Sequence, residues 1–320
     1  MANLATCPPL TRESVFEARK LIQSHIHKTP VLTNKTLSLM ASTPRASSTV
    51  GDRKPAKPVI RLWFKCENMQ RIGAFKARGA FHAIERLKLE PGWLENGGKS
   101  KGVVGFSAGN HAQALALAAR ENGITAHIVM PSTTRPYKID ATKGYGANVV
   151  VCGPKDREAV AAKIVSETGA RLVPPFDHPG VILGQATVGL EMQDQIESLD
   201  AVIAPCSGGG LLSGVALSCE GTGRLLFREK TRPWDIIYER RLVGGMYAVS
   251  EEEILEATKL ILERLKLVVE PAAAVPLAVA LFNEEFRAMV EEEAGEKGWD
   301  LGLVLSGGNI GVDGLVKLFC

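Results

Sequence analysis

The sequence predicts an α/β fold in which helices alternate with parallel strands. Five short segments are almost entirely apolar and have the length of single strands: 102–106, 125–130, 146–152, 201–205 and 301–305. Helical sequence separates the first three, and a strand–helix–strand spacing of this kind requires crossover connections between parallel strands. Because the segments are apolar throughout rather than alternating, we expect both faces of the sheets to be covered.

The other elements follow in chain order from local patterns. Thr11 opens an amphipathic helix pattern over 12–27. The Ser- and Pro-rich stretch 41–57 predicts an exposed loop, and 59–67 alternates well enough to form a strand. Helices are then predicted between the apolar strands, for example near 135–145.

The composition is that of an ordinary soluble globular protein. The chain has 320 residues, a length that fits one large or two medium domains, and a net charge of +3. This charge is too small, and the basic residues are too interleaved with acidic ones, to indicate a nucleic-acid partner. No secretory signal or membrane span is recognisable. Six scattered cysteines without a CxxC pair predict reduced thiols in a cytoplasmic protein rather than disulfides or a zinc site.

A glycine-rich turn follows the strand 201–205, at the edge where open α/β sheets bind ligands. In PCSGGGLLSGVAL, residues 205–217, three glycines allow backbone N–H groups to turn inward. The helix predicted from about Leu211 adds its positive N-terminal end, so the turn is typical of a phosphate site. Its spacing fits neither the dinucleotide fingerprint nor the P-loop, which argues against a plain nucleotide-binding module. A merely tight turn is the alternative interpretation.

The loop SAGNH follows the strand 102–106 and precedes a predicted helix. Its residues Ser107, Gly109 and Asn110 can present N–H groups to a carboxylate. His111 is compatible with a general base, but a histidine at a helix start is more often a structural partner.

The turn SGGN, which follows the strand 301–305, begins with Ser306. A serine hydroxyl can hydrogen-bond a ring nitrogen without ionising. The glycine pair behind it allows a flat ring to lie close to the backbone.

Lys76 stands in the stretch QRIGAFKARGA, directly after Phe75. A lysine that forms a Schiff base needs a neutral amine. Desolvation by Phe75 and the positive charges of Arg71 and Arg78 are expected to favour that neutral form. Taken alone this signal is weak, because any lysine of the chain is compatible with a solvated charge.

The order of these features resembles one family. The sequence is similar, from about Thr11 to Asp313, to the fold type II pyridoxal-phosphate enzymes, and among them to the serine/threonine dehydratases and serine racemases. Four further stretches support the resemblance: KCENMQRIGAFKARGA (65–80), VMPSTTRPYKIDATKGYGANVV (129–150), GQATVGLEM (184–192) and VVEPAAAV (268–275).

The resemblance implies a tryptophan-synthase-β-like fold. Two parallel-sheet α/β domains are then expected, with the active site in the cleft between them. The larger, cofactor-binding domain would comprise 1–99 and 179–320, and the smaller, substrate-side domain 100–178. The resemblance also implies a small β-hydroxy amino acid as substrate and a homodimer.

The same resemblance implies roles for individual residues. Lys76 would hold pyridoxal 5'-phosphate covalently, with Phe75 against the ring and Asn110 bonded to the ring hydroxyl. Ser306 would face the pyridine nitrogen, with Glu270 nearby. The phosphate would be held by Ser207, Gly208, Gly209, Gly210 and Leu211. The substrate carboxylate would be held by Ser107, Ala108, Gly109, Asn110 and His111.

The implied reaction is that of an L-threonine/L-serine dehydratase, an ammonia-lyase that gives a 2-oxo acid and ammonia. Lys76 would remove the α-proton. Similar racemases carry SSGNH, where the second serine acts as acid or base on the opposite face, and here that position is Ala108. We therefore rank the dehydratase above the alternative of a serine racemase. The SAGNH loop also ranks it above β-replacement by a thiol on the same fold.

The sequence departs from the family in two places. The family usually has Thr and Ser around the glycine before the lysine, where this chain has Ile72 and Ala74. This change would remove hydroxyls near the substrate and favour a bulkier side chain.

The second departure follows Gly214, where the chain is shorter than its relatives and 223–234 does not look like the family. One or two strands could be missing there. The acidic ligands of the family's divalent cation are not recognisable, and Glu220 or Glu229 would be guesses. An impaired or non-catalytic relative is therefore a further alternative.

Overall fold

The computed structural model of the chain describes residues 7–46, 54–223, 225–228, 240 and 242–319. The strands are β1 Val31–Thr33, β2 Ile60–Cys66, β3 Val103–Phe106, β4 Ala126–Pro131, β5 Asn148–Cys152, β6 Arg171–Leu172, β7 Leu199–Ile203, β8 Leu225–Arg228, β9 Gly245–Met246 and β10 Trp299–Leu305. The helices are α1 Arg12–Ile22, α2 Lys35–Ser42, α3 Lys76–Lys88, α4 Gly98–Lys101, α5 Asn110–Glu121, α6 Pro136–Gly144, α7 Arg157–Thr168, α8 Pro179–Gln195, α9 Gly210–Cys219, α10 Glu251–Leu260, α11 Pro271–Phe282, α12 Glu284–Ala294 and α13 Val312–Phe319.

These strands form two sheets. The larger has the order β1-β2-β10-β7-β8-β9, and all its neighbours are parallel except β1 and β2. The smaller has the order β5-β4-β3-β6 and is wholly parallel. The predicted α/β class with parallel strands is confirmed.

Helices cover both faces of each sheet, as the apolar strands predicted. In the larger sheet, α2, α10, α11 and α12 pack on one face, and α1, α8 and α9 pack on the other. In β10, Leu301, Leu303 and Leu305 belong to the first core, whereas Val304 belongs to the second. This alternation shows why the strand is apolar on both faces from Leu301 onward.

The smaller sheet lies between α3 and α5 on one face and α7 on the other. It falls within 103–172, inside the smaller domain that the sequence predicts. The domain boundaries at 99/100 and 178/179 stay a prediction.

Two local expectations need correction. The first helix ends at Ile22 rather than 27, and a turn closed by the His25 N–H on the Ile22 carbonyl follows it. The stretch 41–57 is not simply an exposed loop, because α2 runs into it and Ala41 and Ala56 are buried. Both alanines are small enough to pack against neighbouring elements. The Ser- and Pro-rich composition of the stretch does not indicate this burial.

The shortened stretch after Gly214 still supplies strands to the larger sheet. Ala201 of β7 pairs with Leu225 of β8, and β8 pairs in turn with β9. Much of 223–234, including Glu229, lies outside the described residues.

Candidate active site

Lys76 and Ser306 are brought together by backbone pairing between two loops. The turn that follows β10 runs beside the segment that precedes α3. The Phe75 N–H donates to the Ser306 carbonyl at 3.1 Å, and the Gly308 N–H donates to the Gly73 carbonyl at 2.9 Å. Since β10 fixes Ser306 at its carboxyl end, these bonds fix the start of α3 beside it.

The Lys76 amine has the electrostatic surroundings that a Schiff-base lysine needs. Burial lowers the pKa of Lys76 to about 8, and the nearby Glu270 carboxylate opposes the shift. Its Nζ donates to the Pro175 carbonyl at 2.5 Å and lies 5.1 Å from the centre of the Phe75 ring. The neutral fraction of the amine at pH 7 is therefore about a tenth, far above that of an ordinary lysine.

The expected contribution of Arg71 and Arg78 to this shift is wrong. Arg78 is fully buried and bonds to the carboxylates of Glu67 and Glu191 at 2.7 to 2.9 Å. Arg71 pairs with Glu121 at the end of α5. Both positive charges are compensated by these carboxylates, so desolvation rather than repulsion lowers the pKa of Lys76.

The glycine-rich turn forms a tight cradle at the start of α9. Gly209 has a φ of +84°, which favours glycine, and α9 begins at Gly210, one residue before the predicted start. A Cβ on Gly208 would lie 2.3 Å from the Phe176 ring, and one on Gly210 would lie 3.0 Å from the Phe176 carbonyl oxygen. Side chains are excluded at these positions, and the helix N-terminus faces the space that is left free.

A cavity of about 300 Å³ lies between Lys76 and this cradle. Every residue that the sequence predicted to hold the cofactor lines it. The sequence had not assigned a role to five others that line it: Phe176, Pro205, Cys206, Ala272 and Val275. An amine at one end, an anion cradle at the other and the hydroxyl of Ser306 in the wall fit an aldehyde cofactor with a phosphate tail. The individual roles stay predictions.

Asn110 and Glu270 are hydrogen-bonded to each other in the wall of the cavity. The Asn110 Nδ2 donates to Glu270 Oε1 at 2.7 Å, and the Asn110 Oδ1 accepts a 2.7 Å bond from Asn309. Burial raises the pKa of Glu270, while the Asn110 bond and the charges of Lys138 and Lys76 oppose this rise.

The predicted substrate loop lies beside this site. The Ser107 N–H donates to the Val129 carbonyl, and the Gly109 N–H donates to Ser107 Oγ at 3.2 Å. Of this loop only Asn110 lines the cavity itself. Ser107, Ala108, Gly109 and His111 do not.

The surroundings of His111 favour the structural interpretation over the general base. Its ring bonds to the Val173 carbonyl at 3.0 Å, and burial, with the Lys76 charge, lowers the pKa of His111 to about 3. An imidazole with this pKa is a poor proton acceptor at neutral pH.

Ile72 and Ala74 also lie outside the cavity lining. Ala74 is buried and pairs with Gly307, and Ile72 packs against the core beneath the smaller sheet. Their expected effect on substrate preference stays a prediction.

Nothing in the described ranges identifies a metal site or a membrane span. Groups of three or more His, Cys, Asp or Glu side chains that could hold a metal ion are absent from them. Glu220, one of the two guesses, pairs with Arg240 at 2.5 Å. Within the same ranges, no helix has both the length and the apolar character needed to cross a bilayer.

Comparison with known proteins agrees with this geometry. A family model described as "pyridoxal-phosphate dependent enzyme" matches residues 25–224. The chain is 35% identical to the L-threo-3-hydroxyaspartate ammonia-lyase of Saccharomyces cerevisiae, over 94% of this chain and 93% of that protein. It is 33% identical to the serine racemase of Dictyostelium discoideum, over 97% and 98%. The structure of maize serine racemase matches with a TM-score of 0.81 at 32% identity, over 96% of each chain. The chain therefore belongs to the fold type II pyridoxal-phosphate-dependent enzymes, in the family that holds the serine racemases and the serine/threonine dehydratases.

Proposed function

We propose that the chain is an ammonia-lyase that acts on small 3-hydroxy amino acids. The α-proton and the 3-hydroxyl group leave as one water molecule, and water then hydrolyses the resulting enamine, by way of its imine, to a 2-oxo acid and ammonia. The observation that carries the proposal is the cavity with Lys76 at one end and the glycine cradle at the other, beside a loop whose second residue is Ala108.

When bound, pyridoxal phosphate supplies the electron sink for breaking the bond to the α-proton. Lys76 takes that proton, because its lowered pKa leaves the amine partly neutral. The N–H groups of Ser207 to Leu211 and the N-terminal end of α9 hold the phosphate. Ser306 bonds the ring nitrogen as a neutral hydroxyl, and the 107–110 loop orients the substrate carboxylate at the start of α5.

The choice of substrates to test first follows from the names of the relatives. One is called a lyase for L-threo-3-hydroxyaspartate and another a racemase for serine. L-Serine and L-threo-3-hydroxyaspartate are therefore the first candidates. L-Threonine is the third candidate, because no residue that lines the cavity indicates a specific contact with its extra methyl group.

Serine racemase is the second candidate, and the names of most of the similar proteins favour it. A racemase must return a proton to the face opposite Lys76, which requires a second acid. Alanine at position 108 has no proton to give, and this residue is our reason for ranking elimination first.

The test begins with the absorption spectrum of the purified protein. Borohydride reduction and peptide mapping should then place a pyridoxyl group on Lys76, and Lys88→Ala, on the same helix, should leave the label in place. Each candidate substrate is assayed for 2-oxo acid, and serine also for D-serine. Serine with added sulfide tests β-replacement.

The outcomes of these assays distinguish between the candidate functions. A labelled Lys76 with 2-oxo acid and little D-serine supports the proposal. Abundant D-serine favours the racemase, and a labelled but inert protein favours the non-catalytic relative. An unlabelled Lys76 would overturn the whole account.

A further inference from the structure

A second cavity, of about 950 Å³, adjoins the active-site cavity. Glu270 lines both, so the two spaces meet at this carboxylate. The larger cavity is lined by Arg135 and the first turn of α6, including Lys138, and by the start of α13.

Its basic side chains are Arg135, Lys138 and Lys317, and its acidic ones are Glu270 and Asp313. Within the described ranges, the side chains of Arg135 and Lys138 make no hydrogen bond or ion pair. Lys138 is half-buried and close enough to Glu270 for its charge to lower the pKa of that carboxyl group. Arg135 is exposed, so the cavity offers one half-buried and one exposed cation without a partner of its own.

The topology places these two cations next to the substrate loop. β3 and β4 are adjacent parallel strands, and Phe106 pairs with Val129 near their carboxyl ends. The loop 107–110 follows β3, and the segment with Arg135 and Lys138 follows β4. Both segments therefore leave the same edge of the sheet side by side. Lys317, on α13, lines the cavity as well.

We infer that Arg135 and Lys138 form a subsite for a second carboxylate on the substrate, so that the preferred substrate is a 3-hydroxy amino dicarboxylic acid. The inference rests on the proposed function and deepens it. With the α-carboxylate on the 107–110 loop, the 3-carboxylate of such a substrate extends toward α6. Charge-assisted bonds from an arginine and a lysine would hold it there. Serine ends in a hydroxymethyl group and leaves both cations without a partner.

The kinetic test compares two substrates in three variants. Arg135→Gln and Lys138→Gln each remove one cation, and Lys143→Gln is the matched control, because Lys143 is exposed on the same helix and does not line the cavity. For each variant, kcat/KM is measured with L-threo-3-hydroxyaspartate and with L-serine at one ionic strength. We expect the ratio of the two values to fall about tenfold or more in each cavity variant. It should stay unchanged in Lys143→Gln. An unchanged ratio in the cavity variants, or an equal fall in Lys143→Gln, would overturn the inference.

A binding test separates this inference from the proposed function. L-Malate is the dicarboxylic substrate without its amine, and 3-hydroxypropionate is serine without its amine, so neither can react. Calorimetry on the purified holoenzyme should show malate binding about tenfold or more tighter, with this preference lost in Lys138→Gln. Equal affinities for the two acids would overturn the proposed subsite, whatever activity the enzyme has. If the protein binds malate more tightly but turns over neither amino acid, the subsite is supported and the proposed ammonia-lyase function is rejected.

Discussion

Asn110 and Glu270 are 160 positions apart, yet the Asn110 amide donates a 2.7 Å hydrogen bond to the Glu270 carboxylate. The bond joins the start of α5, beside the substrate loop, to the start of α11. It also holds a negative charge close to Lys76, where that charge opposes the effect of burial on the pKa of the amine. The pKa of Lys76 is thus lowered by burial and partly restored by a residue from a distant part of the chain.

Replacing Glu270 by Gln should lower the pKa of Lys76 below its present value of about 8. A carboxylate stabilises the protonated amine, so its neutralisation leaves burial unopposed. The Gln oxygen can still accept the bond from Asn110. The measurement is the pH dependence of Lys76 acetylation in the cofactor-free protein, followed by mass spectrometry. Its midpoint should move to lower pH, and the exposed Glu251→Gln should leave it in place. A midpoint that stays or rises would show that Glu270 does not control the amine.

The lowered pKa of Lys76 should also make folding stability depend on pH. The pKa is about 8 in the folded protein against 10.5 for an ordinary lysine, so between these values the unfolded chain binds more protons. The destabilisation is therefore complete below pH 8 and is relieved as the pH rises through this window. Lys76→Met removes this group, so the variant should have a larger free energy of unfolding than the cofactor-free wild type. This difference should be smaller at pH 9.5 than at pH 7.5. A difference that is constant in urea titrations at the two pH values would contradict this.

Gly208→Ala should weaken cofactor binding about tenfold or more, because its Cβ would lie 2.3 Å from the Phe176 ring. Either the ring or the glycine-rich turn must then move, and both line the cavity in which the phosphate is expected. Titration of the apoprotein with pyridoxal phosphate, followed by absorbance, measures the dissociation constant. Gly144→Ala is the control, since no atom lies within 4 Å of the added Cβ. Equal affinities in the two variants would mean that the cradle does not hold the phosphate.

The parts of the site that could be predicted each carry a local signal at the end of a recognisable strand. Ser306 follows β10 and the glycine-rich turn follows β7, and parallel strands bring such ends to one edge. Phe176 was missed because the two-residue strand β6 that precedes it was not recognised. A strand pairing with β3 would have placed the loop after it at the same edge.

Sequence proximity alone misled the interpretation of the charges. Arg78 is two residues after Lys76, but on a helix this places it about 200° around the axis, facing away from the amine. Its partners Glu67 and Glu191 come from a loop and from α8, which only the tertiary fold brings together. The pairing of Asn110 with Glu270 is equally non-local.

Arg78→Met should cost about 3–5 kcal/mol of unfolding free energy, because it leaves the carboxylates of Glu67 and Glu191 buried with less compensation. Lys65, at 2.6 Å from Glu191, would remain as the main cation of the network. The contrasting variant is Arg19→Met, which removes an exposed ion pair with Asp194 and should cost less than about 1 kcal/mol. Urea titrations measure both values. A small cost at Arg78 would mean that the network does not anchor α3, the helix that carries Lys76.

Ala108→Ser should convert part of the lyase activity into racemisation. The substitution adds one hydroxyl to the loop that the resemblance assigns to the substrate carboxylate, and a positioned acid typically contributes about 10²-fold or more to a proton transfer. We therefore expect the ratio of D-serine to pyruvate formed from L-serine to rise at least about tenfold, as measured by chiral chromatography beside a keto-acid assay. Lys76→Ala in the same background should abolish both products, because it removes the group that takes the α-proton. If wild-type protein already forms D-serine as fast as Ala108→Ser does, the second acid is another residue, and position 108 does not decide between elimination and racemisation.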